Sequence, residues 1–229
     1  MKTYPFAVCL LLSSFMLSIN VQGQVVYPVF SGEMIFQSGT IEKSGDHVNT
    51  NLRFSAWLHV GEYIHLNFGN NIGFYTGLAM RNVGFITEED DIKIKYRSYN
   101  LGLPIAIKLG SFRDMVYVFG GAEYEWMFHF KQKTFINDEK IKFSEWFSNR
   151  TPAFIPSVFG GLQLPKGIHL TFKYYLNNFL NHNYQGSNEY NDYTVFSNTQ
   201  LWYISLSFQF NYSMMRHSPI QNAGMTVMQ

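Results

Sequence analysis

The feature that most constrains this chain is period-two alternation sustained over unusually long stretches. From Val116 to Phe130 the even positions are Val116, Val118, Gly120, Ala122, Tyr124, Trp126, Phe128 and Phe130. The odd positions, continuing to Lys131, include Tyr117, Glu123, Glu125, His129 and Lys131. One face is apolar and the other carries charge. Ile168–Leu176 repeats the pattern, with Ile168, Leu170, Phe172, Tyr174 and Leu176 set against His169, Thr171, Lys173 and Tyr175. In Trp202–Tyr212, Trp202, Ile204, Leu206, Phe208, Phe210 and Tyr212 oppose Tyr203, Ser205, Ser207, Gln209 and Asn211. Alternation of this kind is a strand signal and excludes helix. The segments exceed the usual length of soluble strands and suit the ~9–11 residues of a membrane strand.

Extending the pattern predicts eight strands, near 28–37, 53–68, 72–85, 93–109, 115–131, 154–164, 168–177 and 200–212. Gly69-Asn70-Asn71, Gly110 to Asp114 and Pro165-Lys166-Gly167 read as tight turns. Longer polar loops fall near 38–50, 87–92, 132–153 and 178–199. Short turns at one end and long loops at the other are the outer-membrane arrangement, with the short ends periplasmic. The expected fold is therefore all-β: a closed antiparallel transmembrane β-barrel of eight strands.

The N-terminus agrees. Lys2 precedes an apolar stretch from Phe6 to Leu12, which continues more weakly through Phe15–Ile19 to Val21-Gln22-Gly23. That is the pattern of a secretory signal cleaved after Gly23, and the run is too short and Ser-interrupted to suit a membrane anchor. The expected organisation is a signal peptide at 1–23, a barrel at 24–212 and a periplasmic tail at 213–229. The only cysteine, Cys9, lies inside the signal, so disulfides are not expected to hold the exported domain together.

Composition is consistent with export as a barrel. Charged residues make up 14% and aromatics 18%, with a formal net charge of +1. Scattered balanced charge excludes the basic stripe of a nucleic-acid partner. Mean hydropathy is −0.10, too polar for a bundle of membrane helices, whereas a barrel hides its lipid face by alternation. A soluble β-sandwich is equally compatible with these numbers. Trp57, Trp126 and Trp202 on strands, with Tyr99, Tyr124 and Tyr212 near strand ends or on the apolar face, read as aromatic girdles, although aromatics favour any sheet.

The stretch Tyr99-Asn100-Leu101-Gly102-Leu103-Pro104-Ile105-Ala106-Ile107-Lys108, followed by Val118-Phe119-Gly120-Gly121-Ala122-Glu123-Tyr124, resembles the PorT-like outer-membrane β-barrel family. That family carries a strand of the form Tyr-Leu-x-Ile-Pro-Leu-x-x-Lys and then a Gly-containing strand. Leu101 to Lys108 fits, with Tyr99 one residue early. Tyr75-Thr76-Gly77-Leu78, with Gly84 closing the segment, is similar to the family's third strand. The resemblance covers Val25 to Tyr212 and implies small eight-stranded barrels, a few linked to secretion or adhesion. It also implies a bulge at Pro104, because proline cannot donate to a ladder. Many barrels end on an aromatic assembly signal. Here the chain runs on to Gln229, so Phe210 or Tyr212 would act from an internal position.

Arg81, Lys108, Glu123, Glu125, His129, His169 and Lys173 are expected inside the barrel as a structural charge network. An eight-stranded barrel is just wide enough for side chains, so interior charges must pair. No cofactor is expected. Catalysis on lipid A is the alternative, with His129 and Glu125, or Ser55 and His59, as candidate pairs. No Gly-x-Ser-x-Gly motif or metal-ligand spacing appears. Thr87-Glu88-Glu89-Asp90-Asp91 reads as solvated loop acids before it reads as a divalent-cation site. The expected role is non-enzymatic: structural, adhesive or secretion-accessory, with a channel a poor third. Expected partners are outer-membrane lipid and lipopolysaccharide, the barrel-assembly machinery during biogenesis, and other envelope proteins.

Overall fold

The computed structural model describes residues 24–89, 92–136, 139–186 and 191–211. The expected signal, the tail and Tyr212 lie outside them. The described residues form eleven strands: β1 (Gln24–Lys43), β2 (Asp46–His47), β3 (Arg53–Ser55), β4 (Val60–Phe68), β5 (Ile72–Glu89), β6 (Ile92–Ser111), β7 (Val116–Ile136), β8 (Glu139–Trp146), β9 (Phe154–Leu164), β10 (Ile168–Tyr175) and β11 (Phe196–Asn211). Eight of them close a ring in the order β1-β4-β5-β6-β7-β9-β10-β11, and β11 returns to β1 from Val29↔Asn211 to Glu42↔Asn198. Every neighbouring pair is antiparallel. Closing the ring joins the first and last strands and so removes the two edges of an open sheet, which is what makes such a sheet self-limiting.

Facing follows the period-two pattern. On β6 the even positions from Ile94 to Lys108 are buried in the lumen. The odd positions Leu101, Leu103, Ile105, Ile107 and Leu109 are 37–60% exposed. Phe172, Ile204, Phe208 and Val118 extend this apolar outer belt around the wall. Contiguous exposed apolar surface on this scale is foreign to soluble monomers. At ~3.3 Å per residue, Leu101–Leu109 covers about 26 Å along the strand, or about 20 Å after barrel tilt.

At one end the connections are tight. Gly69 takes a left-handed φ of 72° in the β4–β5 turn, and Lys166 (φ 67°) and Gly167 (φ 80°) do so between β9 and β10. Neighbouring turns are tied together, with Gly110 N donating to Asn71 O at 2.9 Å. At the other end β5, β6, β7 and β8 rise above the ring as an antiparallel sheet, Ile92↔Ile136 and Ile136↔Glu139 marking its top. Much of the expected loops near 38–50, 87–92 and 132–153 is therefore strand.

Two irregularities shape the wall. The β6–β7 ladder pairs Tyr99 with His129 but Asn100 with Met127, so Phe128 is an extra, bulged residue. A bulge reverses facing beyond it. Phe130, Gln132 and Thr134 turn inward, Lys131 and Lys133 turn outward, and His129 lies on the outer side covered by the rings of Tyr99 and Trp146. This corrects the expected apolar outer face at Phe130, which is 1% exposed and packs in the lumen. At Pro104, by contrast, no bulge forms. Pro104 pairs in register with Glu123, the β5 side omits its ladder contacts there, and Thr76 Oγ1 donates to Pro104 O at 2.8 Å.

The second irregularity lies in the expected strand 53–68. Both β3 and β4 pair with β1, but Ala56–Leu58 leave the wall between them, His59 O accepts from Glu33 N at 3.0 Å, and Trp57 is 75% exposed. Trp57 is thus in an outward loop and not on a strand.

Candidate functional site

The lumen is built in three layers. The middle one is a chain of alternating charges from four strands. Arg81 Nε donates to Glu33 Oε2 at 2.9 Å, and its Nη1 pairs with Glu123 Oε1. Lys173 Nζ lies 2.7 Å from Glu123 Oε2 and also pairs with Glu125 Oε1. Glu125 further accepts from Tyr175 OH at 3.0 Å and from Asn100 Nδ2 at 2.8 Å. Arg81 Nη2 reaches Tyr63 OH at 3.3 Å. Each ion is desolvated, so the set is tolerable only because every charge meets an opposite one. Gly102 faces this layer, where an added methyl would overlap the Glu123 carboxylate.

Of the expected interior charges, Arg81, Glu123, Glu125 and Lys173 meet in this layer. Glu33 joins them unexpectedly. It belongs to the alternation Val29, Ser31, Glu33, Ile35, Gln37 on β1, and that pattern could have revealed it.

Lys108 and His169 sit apart, in the layer nearest the tight turns. Lys108 is fully buried and, among the described residues, meets no carboxylate. Its Nζ donates to Asn67 Oδ1 at 2.7 Å and His65 Nδ1 at 3.0 Å, and lies 4.8 Å from the Phe112 ring centroid. His169 stacks on Phe119 at 4.9 Å and contacts Tyr117 OH at 3.3 Å. Aromatic faces and neutral acceptors here do the work that a counter-ion does one layer up.

His129 is not in the lumen, contrary to expectation. The Phe128 bulge turns it outward, where it stacks between Tyr99 (5.6 Å) and Trp146 (4.1 Å). It therefore cannot act with Glu125, which is buried on the other face.

Ser55 and His59 do converge. His59 Nε2 and Ser55 Oγ are 2.7 Å apart. They belong to a seam above Val60↔Met80 where β5 loses its backbone partner and side chains substitute. Arg53 Nη1 donates to Asn82 O at 3.1 Å, Gly84 N donates to Gln37 Oε1 at 2.8 Å, and Asn82 N donates to His59 Nδ1 at 3.4 Å. With Nδ1 accepting, a neutral imidazole carries its proton on Nε2 and donates to Ser55. A general base needs the opposite tautomer, held by an acid at Nδ1. The pair is wired as a structural bond.

The long β10–β11 connection seals the outer mouth. From it Phe179, Leu180 and Tyr193, with Phe196 at the start of β11, insert above the charges and pack on Phe85, Tyr96 and Phe130. Tyr193 OH donates to Gln132 Oε1 at 2.6 Å, and burial pushes this phenol up to about 12. Arg150 lies over the rings of Phe143 (4.2 Å) and Tyr184 (4.5 Å). A cavity of about 30 Å³ among Glu33, Arg81, Glu123 and Lys173 has room for about two water molecules.

Among the described residues no three His, Cys, Asp or Glu side chains are grouped to hold a metal. Glu88 pairs with Lys93 and Glu89 with Lys43, while Asp90 and Asp91 lie outside the described residues.

No protein-family profile and no curated protein matches the chain. Several solved structures are similar. Ail, the attachment invasion locus protein of Yersinia pestis, solved with the heparin analogue sucrose octasulfate, is 13% identical (80% of this chain, 99% of that one, TM-score 0.38). Neisserial surface protein A is 10% identical (83% and 100%, TM-score 0.39). Outer membrane protein OprG from Pseudomonas aeruginosa is 11% identical (81% and 95%, TM-score 0.34). The barrel architecture described above stands on this chain's own strand ladders. It defines a closed eight-stranded barrel with an apolar exterior and a filled polar lumen.

Proposed function

We propose that this protein spans a bacterial outer membrane and acts there through its outer end, as a structural, adhesive or secretion-accessory barrel without catalytic chemistry. The observation that carries this reading is the filled lumen. Charges pair in its middle, aromatics cap its mouth, and the cavity among the charges has room for about two water molecules. A solute pathway needs more room, and a catalytic centre needs a reachable reactive group. The apolar belt supports a lipid environment, and the PorT-like pattern at Leu101–Lys108 supports placement among small envelope barrels. Export by residues 1–23 and handling by the barrel-assembly machinery belong to the same proposal.

A lipid A-modifying enzyme is the second reading, favoured by the 2.7 Å contact of Ser55 and His59 beside a side-chain-stitched seam. Mass spectrometry of lipid A from cells expressing wild type or Ser55→Ala separates the two. The scaffold reading expects identical profiles. A lipid A product lost with Ser55 in a folded variant would replace it with the enzyme. Planar-bilayer recordings of the purified protein are expected to show no steady conductance, and open-channel currents would count against the scaffold.

A further inference from the structure

The outward positions of β6 read, from the tight-turn end upward, Leu109, Ile107, Ile105, Leu103, Leu101, Tyr99, Arg97, Lys95 and Lys93. Apolar residues give way to an aromatic and then to cations without interruption. The neighbouring strands make the same change at the same level. Tyr99, His129 and Trp146 stand side by side across β6, β7 and β8. Immediately above them Arg97 pairs with Lys131, then Lys95 with Lys133 and Lys133 with Lys142, and Phe135 lies between Lys93 and Lys140.

Like charges directly opposite on adjacent strands destabilise a sheet. Three lysines in one cross-strand row are therefore a cost to folding that nothing in the fold itself requires. The electrostatics register it: crowding by Arg97 first, then burial and the charges of Lys140, Lys142 and Lys95, holds Lys133 below the ordinary lysine value. Among the described residues, acids are sorted away from this face. Glu139 pairs with Ile136, and Glu145 with Phe130, on the lumen-facing side of the sheet. Among the described residues only Glu88 enters, through its bond to Lys93. The Phe128 bulge is what builds the patch, since without it Lys131 and Lys133 would point into the barrel.

We propose that this face, centred on Lys95, Lys133 and Lys142, is a binding site for the phosphate groups of lipopolysaccharide in the surrounding outer leaflet. The inference rests on the membrane-spanning reading. The occupant follows from position and charge. The patch continues the lipid-facing wall sideways and begins one residue pair above the aromatic row, where headgroups sit. Lysine and arginine clusters just beyond an apolar span bind anionic headgroups by charge-assisted hydrogen bonds.

The test uses the full chain reconstituted in phosphatidylcholine vesicles carrying either diphosphoryl lipid A or dephosphorylated lipid A. Lipid A retained on the protein after mild detergent extraction is counted by native mass spectrometry. Wild type should retain the diphosphoryl form. K95Q/K133Q/K142Q should retain roughly tenfold less or below, and the corresponding triple arginine variant should retain it as wild type does. R113Q/K166Q, which removes cations from the tight-turn end, should change nothing. Equal retention by wild type and the glutamine variant would overturn the proposal. So would equal retention of dephosphorylated lipid A, or displacement of lipid A by a soluble sulfated polysaccharide at lower concentration than free lipid A requires. Heat-modifiable migration is read in every arm. A protein that inserts but ignores lipid A sinks this inference alone, whereas one that never inserts sinks the membrane reading.

Discussion

Lys173 Nζ lies 2.7 Å from Glu123 Oε2, joining β10 to β7 across β9, so the contact braces the barrel through its lumen and not along its wall. Arg81 does the same from β5, reaching over β4 to Glu33 on β1. Glu123 is the shared member. Glu123→Ala would leave Arg81 and Lys173 each short of a counter-ion in a buried layer, at an expected cost of about 3–5 kcal/mol. Urea unfolding in lipid vesicles measures it. A loss below ~1 kcal/mol would show that the ions are hydrated and the brace is unimportant.

Gly102 provides the space that the Glu123 carboxylate occupies. Gly102→Ala should displace that carboxylate and loosen the layer, destabilising the barrel by ~1–3 kcal/mol as overpacking does. The combination of Gly102→Ala with Glu123→Ala should cost less than the two separate losses added together, because the methyl no longer meets a carboxylate. Strict additivity in the same unfolding assay would contradict the geometry.

The apolar belt makes a depth-dependent expectation. Ile105 is the central outward residue of β6 between Leu101 and Leu109, so Ile105→Arg should cost ~2–4 kcal/mol in lipid, while Tyr99→Arg at the rim should cost ~0–1. Glu62 is an exposed carboxylate on the same belt, between Phe30 and Leu78 in the ladders. Glu62→Leu should therefore stabilise the barrel in vesicles, by less than the penalty of an arginine. A flat profile along β6 together with a destabilising Glu62→Leu would place this face in water.

Much of this was legible in the sequence, for a definite reason. Strand β9 falls at Phe154–Leu164, as its alternation predicts, and β6 keeps one parity from Ile94 to Lys108 because no residue is added within it. The departures arise where that condition fails. Period-two reading extrapolates parity, so the extra residue Phe128 sent Phe130 outward and His129 inward on paper, and the structure reverses both. Residues Ala56–Leu58 leave a strand that looked continuous. The lysine-rich β8 was expected as loop because its charge mimics solvated sequence, yet it pairs with β7 over its whole length. Partnering inside the lumen was not legible at all, since Arg81–Glu33 and Lys173–Glu125 depend on which strands face one another across the ring. Met127, an odd position like Glu123 and Glu125, packs in the apolar layer at the mouth, 3% exposed.

The central claim is that the chain closes into a barrel whose apolar belt requires a bilayer. Refolding the urea-denatured protein with and without phosphatidylcholine vesicles, and running unboiled and boiled samples side by side, tests it most directly. The expected result is a fast-migrating unboiled band that forms only with vesicles, floats with them, and reverts on boiling. A monodisperse folded monomer in lipid-free and detergent-free buffer would contradict the claim.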